Sequence, residues 1–119
     1  MFANTITMTI DGVGKVLNRV NQDSFGSEYQ FAGTTDSVVM KIRHSSDKMD
    51  KDGVIMKRHN VLMERIVFPT ATALMQKQTA TLTIRGGTFE SPTLAASLAS
   101  ALVSWGTPTV ISGLSVGEN

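Results

Sequence analysis

Up to about residue 85 the chain alternates apolar and polar positions with a period of two. Thr5, Ile6, Thr7, Met8, Thr9 and Ile10 do so strictly, as expected of a strand with one buried face. Residues 15–22 form the next run, and Asp11-Gly12-Val13-Gly14 between them reads as a short glycine-rich hairpin connection. Further runs cover 27–32, 37–44, 54–68 and 77–85, separated by Gly33-Thr34-Thr35-Asp36, by 45–53 and by a stretch opening at Pro69. Six strands in sequence make near-adjacent antiparallel pairing the economical topology.

The period then changes. Ser91 suits an N-cap and Pro92 the first helical position. Leu94, Leu98, Ala101, Leu102 and Trp105 follow at three- and four-residue spacings until Gly106 and Pro108. A shorter helical turn is expected over 108–114. No charged residue occurs between Ser91 and Gly117, so the helix is expected to pack much of its surface against protein. Its apolar stretches are too short for a membrane span, and residues 1–10 lack the basic and apolar regions of a signal peptide.

The sheet has two unlike faces. Val38, Met40 and Ile42, with Ala80, Leu82 and Ile84, lie to one side; Lys41 and Arg43, with Lys77, Thr79, Thr81 and Thr83, lie to the other. The apolar side needs a cover. One helix of about fourteen residues is only about 21 Å long and cannot roof five or six strands, so two helices from two chains are expected there. A monomer whose N-terminal hairpin folds over the sheet is the alternative. Residues 54–68 are harder to phase, because Arg58, Asn60, Leu62 and Glu64 alternate with His59, Val61, Met63 and Arg65. A bulge or a bend in that strand would account for the mixture.

A formal net charge of +1 hides an uneven placement. Acidic residues fall mostly in turns, whereas Lys15, Arg19, Lys41, Arg43, Lys57, Arg58, Arg65, Lys77 and Arg85 fall in strands. Such strands predict a positive sheet face and a polyanion partner; an ordinary solvated face is the plainer reading. The 119 residues suffice for one domain, with a large share of surface left for a partner subunit. The absence of cysteine excludes disulfides, thiol nucleophiles and thiolate metal sites.

Catalytic chemistry is not indicated. His44 and His59 have no nucleophile and orienting group placed with them by spacing, and each reads better as a buried or partner-facing histidine. The acidic loop 47–52 has interleaved lysines and lacks a calcium-loop pattern. The glycine pairs Gly12 with Gly14 and Gly86 with Gly87 lie outside any phosphate-loop motif. No catalytic residue, metal site, cofactor, membrane or small-molecule substrate is therefore expected.

Three stretches carry a resemblance: Lys15-Val16-Leu17-Asn18-Arg19-Val20-Asn21-Gln22-Asp23, then Ser27-Glu28-Tyr29, then Lys41-Ile42-Arg43-His44 followed by Arg58-His59-Asn60-Val61. In this order, ahead of a strand and a C-terminal helix, the chain resembles the coat proteins of single-stranded RNA bacteriophages, the levivirus group, and in particular the branch infecting Caulobacter. The likeness runs from about Thr5 to Trp105 and rests on order, spacing and length. It implies a single α+β coat domain over residues 1–119, an N-terminal β-hairpin plus five-stranded antiparallel sheet, with C-terminal helices packing across the partner subunit's sheet. It also implies a homodimer that assembles in the bacterial host cytoplasm into a T=3 icosahedral shell, the virion capsid. The inner sheet face would bind single-stranded genomic RNA, and a stem-loop bound there would repress translation.

Carried over by position, the RNA-facing residues are Lys41, Arg43, Arg58, Asn60, Lys77 and Thr79. The dimer interface takes Leu94, Leu98, Leu102 and Trp105. Relatives place a base-stacking tyrosine where this chain has Lys77, so phosphate contact is the expected mode here. The connection from Pro69 to about Met75 matches the loop that gathers around the symmetry axes. A small dimeric RNA-binding regulator that forms no shell is the alternative function, and an enzyme using His59 a more distant one.

Overall fold

The computed structural model describes residues 2–118. Six strands are hydrogen-bonded in chain order, β1 (Thr5–Ile10), β2 (Val13–Asp23), β3 (Gly26–Ala32), β4 (Asp36–Ser46), β5 (Met56–Val67) and β6 (Gln76–Gly87). Two helices follow, α1 (Pro92–Trp105) and α2 (Pro108–Ser115). The expected α+β order of an antiparallel sheet and C-terminal helices is observed. Contacts group the chain into two compact units, Met1–Ser46 with Arg58–Thr83 and Asp47–Lys57 with Ile84–Asn119.

In the first unit the β1–β2 hairpin closes over two residues, because Ile10 pairs with Val13. Asp11 and Gly12 between them both have positive φ, 52° and 76°, the backbone of a type I′ turn and the reason an Asp-Gly pair occurs here. At the β2–β3 turn the Asp23 carboxylate accepts a hydrogen bond from the Phe25 backbone N–H at 2.8 Å, an Asx turn. The register of this pair shifts between Arg19 and Asn21. A bulge is thus present in β2; the mixed faces of β5, for which a bulge or a bend was expected, have another cause described below.

Register fixes which side chains share a face. Leu17 lies opposite Ile6, Tyr29 opposite Met40 and Phe31 opposite Val38. The buried core is Leu17, Tyr29, Val38, Met40 and Ile42, with Ile6, Met8, Ile10, Phe31, Val61 and Met63 packed against it. Tyr29 also ties down the chain start, since its hydroxyl donates to the Ala3 carbonyl at 2.8 Å and accepts from Arg19 Nη2 at 2.8 Å.

Gly26 occupies a position with no room for a side chain. A Cβ there would stand 2.0 Å from the Ile42 carbonyl oxygen, a backbone atom of the neighbouring strand that cannot rotate away. Gly26→Ala is expected to lower stability by roughly 3 kcal/mol, the upper end of overpacking costs. Urea unfolding midpoints of the two proteins measure this.

In the second unit Asp50 organises the turn before β5, its carboxylate accepting from the Asp52 and Val54 backbone N–H groups at 2.9 Å each. Gly53 completes the turn at φ 78°. Ser91 lies at the N-cap position of α1 without a side-chain cap, whereas Thr107 caps α2 by accepting from the Val110 N–H. The expected second helical turn is therefore a full short helix, set at 78° to α1. A Cβ added at Gly86 would lie 3.2 Å from Ala95 Cβ, so glycine there admits close approach of α1. Neither helix alone is long and apolar enough to cross a membrane.

Candidate nucleic-acid interface

The first unit presents a polar face opposite its core. On β4, Lys41 and Arg43 are exposed in alternation with buried Met40 and Ile42. On β5 the core contacts come from Val61 and Met63, which turns Arg58, Asn60, Leu62 and Glu64 to the polar side. On β6, Thr83 Oγ1 accepts from Asn60 Nδ2 at 2.7 Å and Lys77 Nζ lies 3.5 Å from Glu64 Oε1. Thr79, in step with Lys77 and Thr83, shares that face. Lys41, Arg43, Arg58, Asn60, Lys77 and Thr79 thus all lie on one face of one unit.

They are not equally available. Arg43 Nη1 pairs with Asp23 at 3.1 Å, both about half exposed, and Lys77 is paired with Glu64. The Asp23 carboxyl is held below its ordinary value, first by the Phe25 backbone hydrogen bond, against desolvation, with Arg43 acting in the same direction as Phe25. Exposed pairs of this kind contribute little and are screened by salt. Lys41 makes no ion pair among the described residues, and Arg58 Nε is shielded from solvent with no hydrogen-bond partner.

Not every strand cation belongs to this face, so the expectation of one uniformly basic face needs correcting. Lys15 and Arg65 share the core side with Leu17 and Met63, and they converge there on Asp36. Lys15 Nζ lies 3.0 Å from Asp36 Oδ2, and Arg65 Nε lies 2.9 Å from the same atom. Arg65 Nη1 reaches the turn residue Asp11 at 2.6 Å. Lys15 is 8% and Asp36 2% exposed. The Asp36 carboxyl is pushed below its usual range, chiefly by the Lys15 hydrogen bond, against desolvation, with Arg65 acting in the same direction as Lys15. Hydrogen bonds to Asp36 and then Asp11 raise Arg65 further.

Polar partners, not a slipped register, therefore explain the mixed side of β5. Arg65 answers Asp36, and His59 answers His44, whose Nδ1 lies 2.8 Å from its own. Both histidines are exposed, so of the two expected roles, buried or partner-facing, the chain by itself does not bury them. No group of three or more His, Cys, Asp or Glu residues that could hold a metal occurs among the described residues.

The helix residues expected at a dimer seam point away from their own unit. Leu94, Leu98, Leu102 and Trp105 are all more than half exposed, while the half-buried positions of α1 are Ala95 and Ala99. The three- and four-residue stripe thus marks an outward face, and the smaller residues make the inward one.

The profile of the family described as phage phiCb5, coat protein, matches residues 3–87. The chain belongs to that coat protein family. It is a structural component of a phage capsid, not an enzyme. Among solved structures it is similar to the bacteriophage EMS014 coat protein, at 19% identity and a TM-score of 0.69 over 87% of this chain and 72% of that one. It is also similar to the virus-like particle of bacteriophage AVE019, at 14% identity and a TM-score of 0.68 over 100% of this chain and 98% of that one. These likenesses bear on the fold, whose coat-protein arrangement they share. No curated protein matches the chain.

Proposed function

We propose that this coat protein acts as a single domain that dimerises through its helices, closes into a T=3 shell and holds single-stranded RNA against the polar sheet face. The observation that carries the RNA reading is the gathering of Lys41, Arg43, Arg58, Asn60, Lys77 and Thr79 on one face, with neither Lys41 nor Arg58 in an ion pair among the described residues. Cations so placed neutralise phosphate without an energetic contest for their own partners. An RNA stem-loop bound on this face would couple coat concentration to translational repression. Assembly then takes place where the RNA is made, in the host cytoplasm.

Support for the dimer comes from α1 and α2. Leu94, Leu98, Leu102, Trp105, Ile111 and Leu114 are all more than half exposed in a stretch without charge, and apolar surface on that scale marks an interaction site. Two helices from two chains supply the cover that one cannot. The similarity in fold to the virus-like particle of bacteriophage AVE019 supports assembly of this chain into particles.

Size-exclusion chromatography with light scattering, absorbance at 260 and 280 nm and negative-stain microscopy test the reading together. Round particles rich in nucleic acid are expected; a dimer-sized peak without particles would favour a free RNA-binding regulator. Leu98→Asp is expected to give monomeric or insoluble protein, because the charge would be buried at the seam. A soluble dimer from that variant would overturn the helix interface.

A further inference from the structure

Within the polar face a small cavity of about 140 Å³ is lined by Glu28, Val39, Lys41, Leu62 and Glu64. It is smaller than sites that engulf a whole ligand, roughly 300 Å³ and above, and so has room for the edge of one flat group. Its charge is unusual for a phosphate site, since two carboxylates surround one ammonium. Glu28 and Lys41 are direct cross-strand partners, a placement that brings Cβ atoms to about 5 Å. Yet no ion pair joins them among the described residues, and both line the cavity.

We infer that this cavity reads an unpaired guanine of the bound RNA, with Glu28 accepting from the base's N1–H and N2–H and Lys41 donating to its O6. The inference rests on the proposed RNA face and deepens it. Guanine alone among the four bases presents two adjacent donors beside one acceptor on its Watson–Crick edge. Adenine and cytosine each pair one donor with a ring acceptor, and uracil flanks one donor with two acceptors. A carboxylate beside an ammonium can meet one donor and one acceptor on any of these edges, but guanine alone fills both carboxylate oxygens, with N1–H and N2–H, while its O6 accepts from the ammonium. Unpaired bases offer this edge to proteins in single-stranded RNA recognition.

The remaining lining residues fit the same occupant. Val39 and Leu62 supply an apolar wall for the base plane. Among the described residues Glu28 carries only a neutral partner, the Gln30 amide at 3.2 Å, whereas Glu64 is engaged by Lys77. Glu64 therefore serves to repel phosphate from the cavity and leaves the phosphates to Arg58 and the strand cations around it.

Fluorescence anisotropy of nucleic-acid-free full-length protein tests this, with a labelled hairpin whose uridine loop carries one guanosine, adenosine, cytidine or inosine. The guanosine loop is expected to bind roughly 10-fold tighter than the adenosine and cytidine loops, and inosine, which lacks the N2 amine, to lose most of that margin. Glu28→Gln, which keeps shape and removes charge, is expected to abolish the preference while leaving affinity for the all-uridine loop equal or higher. Equal affinity for all loops, or a preference that survives Glu28→Gln, would overturn the guanine reading. Failure of the RNA face itself would show differently, as binding of every loop indifferent to Arg43→Gln and Arg58→Gln, neither of which lines the cavity.

Discussion

Asp36→Ala is expected to unfold most of this protein's margin of stability, because it strands Lys15 and Arg65 on the core side without their shared anion. Removing one member of a buried ion pair costs about 3–5 kcal/mol, a large part of a total stability of about 5–15 kcal/mol. Urea titration followed by far-ultraviolet circular dichroism measures the loss. The triple variant Asp36→Ala, Lys15→Met, Arg65→Met is expected to regain much of it, since the penalty lies in the unpaired charges. A small effect of Asp36→Ala alone would mean that water reaches the cluster.

Acid should produce the same failure by protonation. Asp36 titrates below its ordinary value in the folded protein, so in acid the unfolded chain binds more protons than the folded one. The stabilisation is therefore complete above roughly pH 4, the ordinary carboxylate value, and is lost as pH falls through the depressed folded value. Asp36→Asn should flatten that acid limb of the stability curve.

The second large effect concerns packaging. Lys41→Glu with Arg58→Glu is expected to leave particles or dimers intact and to remove most of the co-purifying RNA, read as the ratio of absorbance at 260 and 280 nm. Each lost phosphate contact on single-stranded RNA should also reduce the log–log salt dependence of binding by roughly 0.7. Lys48→Glu with Lys51→Glu, in the exposed connection before β5, makes the same change in net charge away from the face and is expected to retain RNA. Equal losses from both pairs would assign packaging to net charge and not to the polar face. Arg58→Gln guards against misfolding at this half-buried position.

The strands were legible because their alternation is driven by a one-sided core. Ile6, Met8 and Ile10, and again Val38, Met40 and Ile42, keep their parity without exception, and β1 falls on the residues expected. The polar face was legible for the same reason, as Lys41 and Arg43 are what remains when Met40 and Ile42 turn inward. The buried charges were not, because a strand pattern was read by residue type and cations were assigned outward. Parity held the signal: Asp36 is in step with Val38, and Lys15 with Leu17. A lone acid on the apolar parity of one strand asks for cations on the apolar parity of its neighbours. In α1 spacing alone gave the stripe and not its direction, since an outward stripe and one facing a core have the same period; it was the family resemblance that assigned Leu94, Leu98, Leu102 and Trp105 to a partner, and they are exposed. The pairing of the two histidines was not legible for a third reason: it joins different strands, and no local pattern encodes it.

Strand order has a bearing on how the chain comes to be folded. Each strand pairs with its sequence neighbours, so the sheet can be laid down hairpin by hairpin with short loop closures, which favours rapid formation over the slow search of a Greek key. The uncharged helices come after all six strands. During synthesis the sheet can therefore organise before the adhesive segment leaves the ribosome, and a nascent chain stays out of reach of its neighbours until its own framework is ready to receive them.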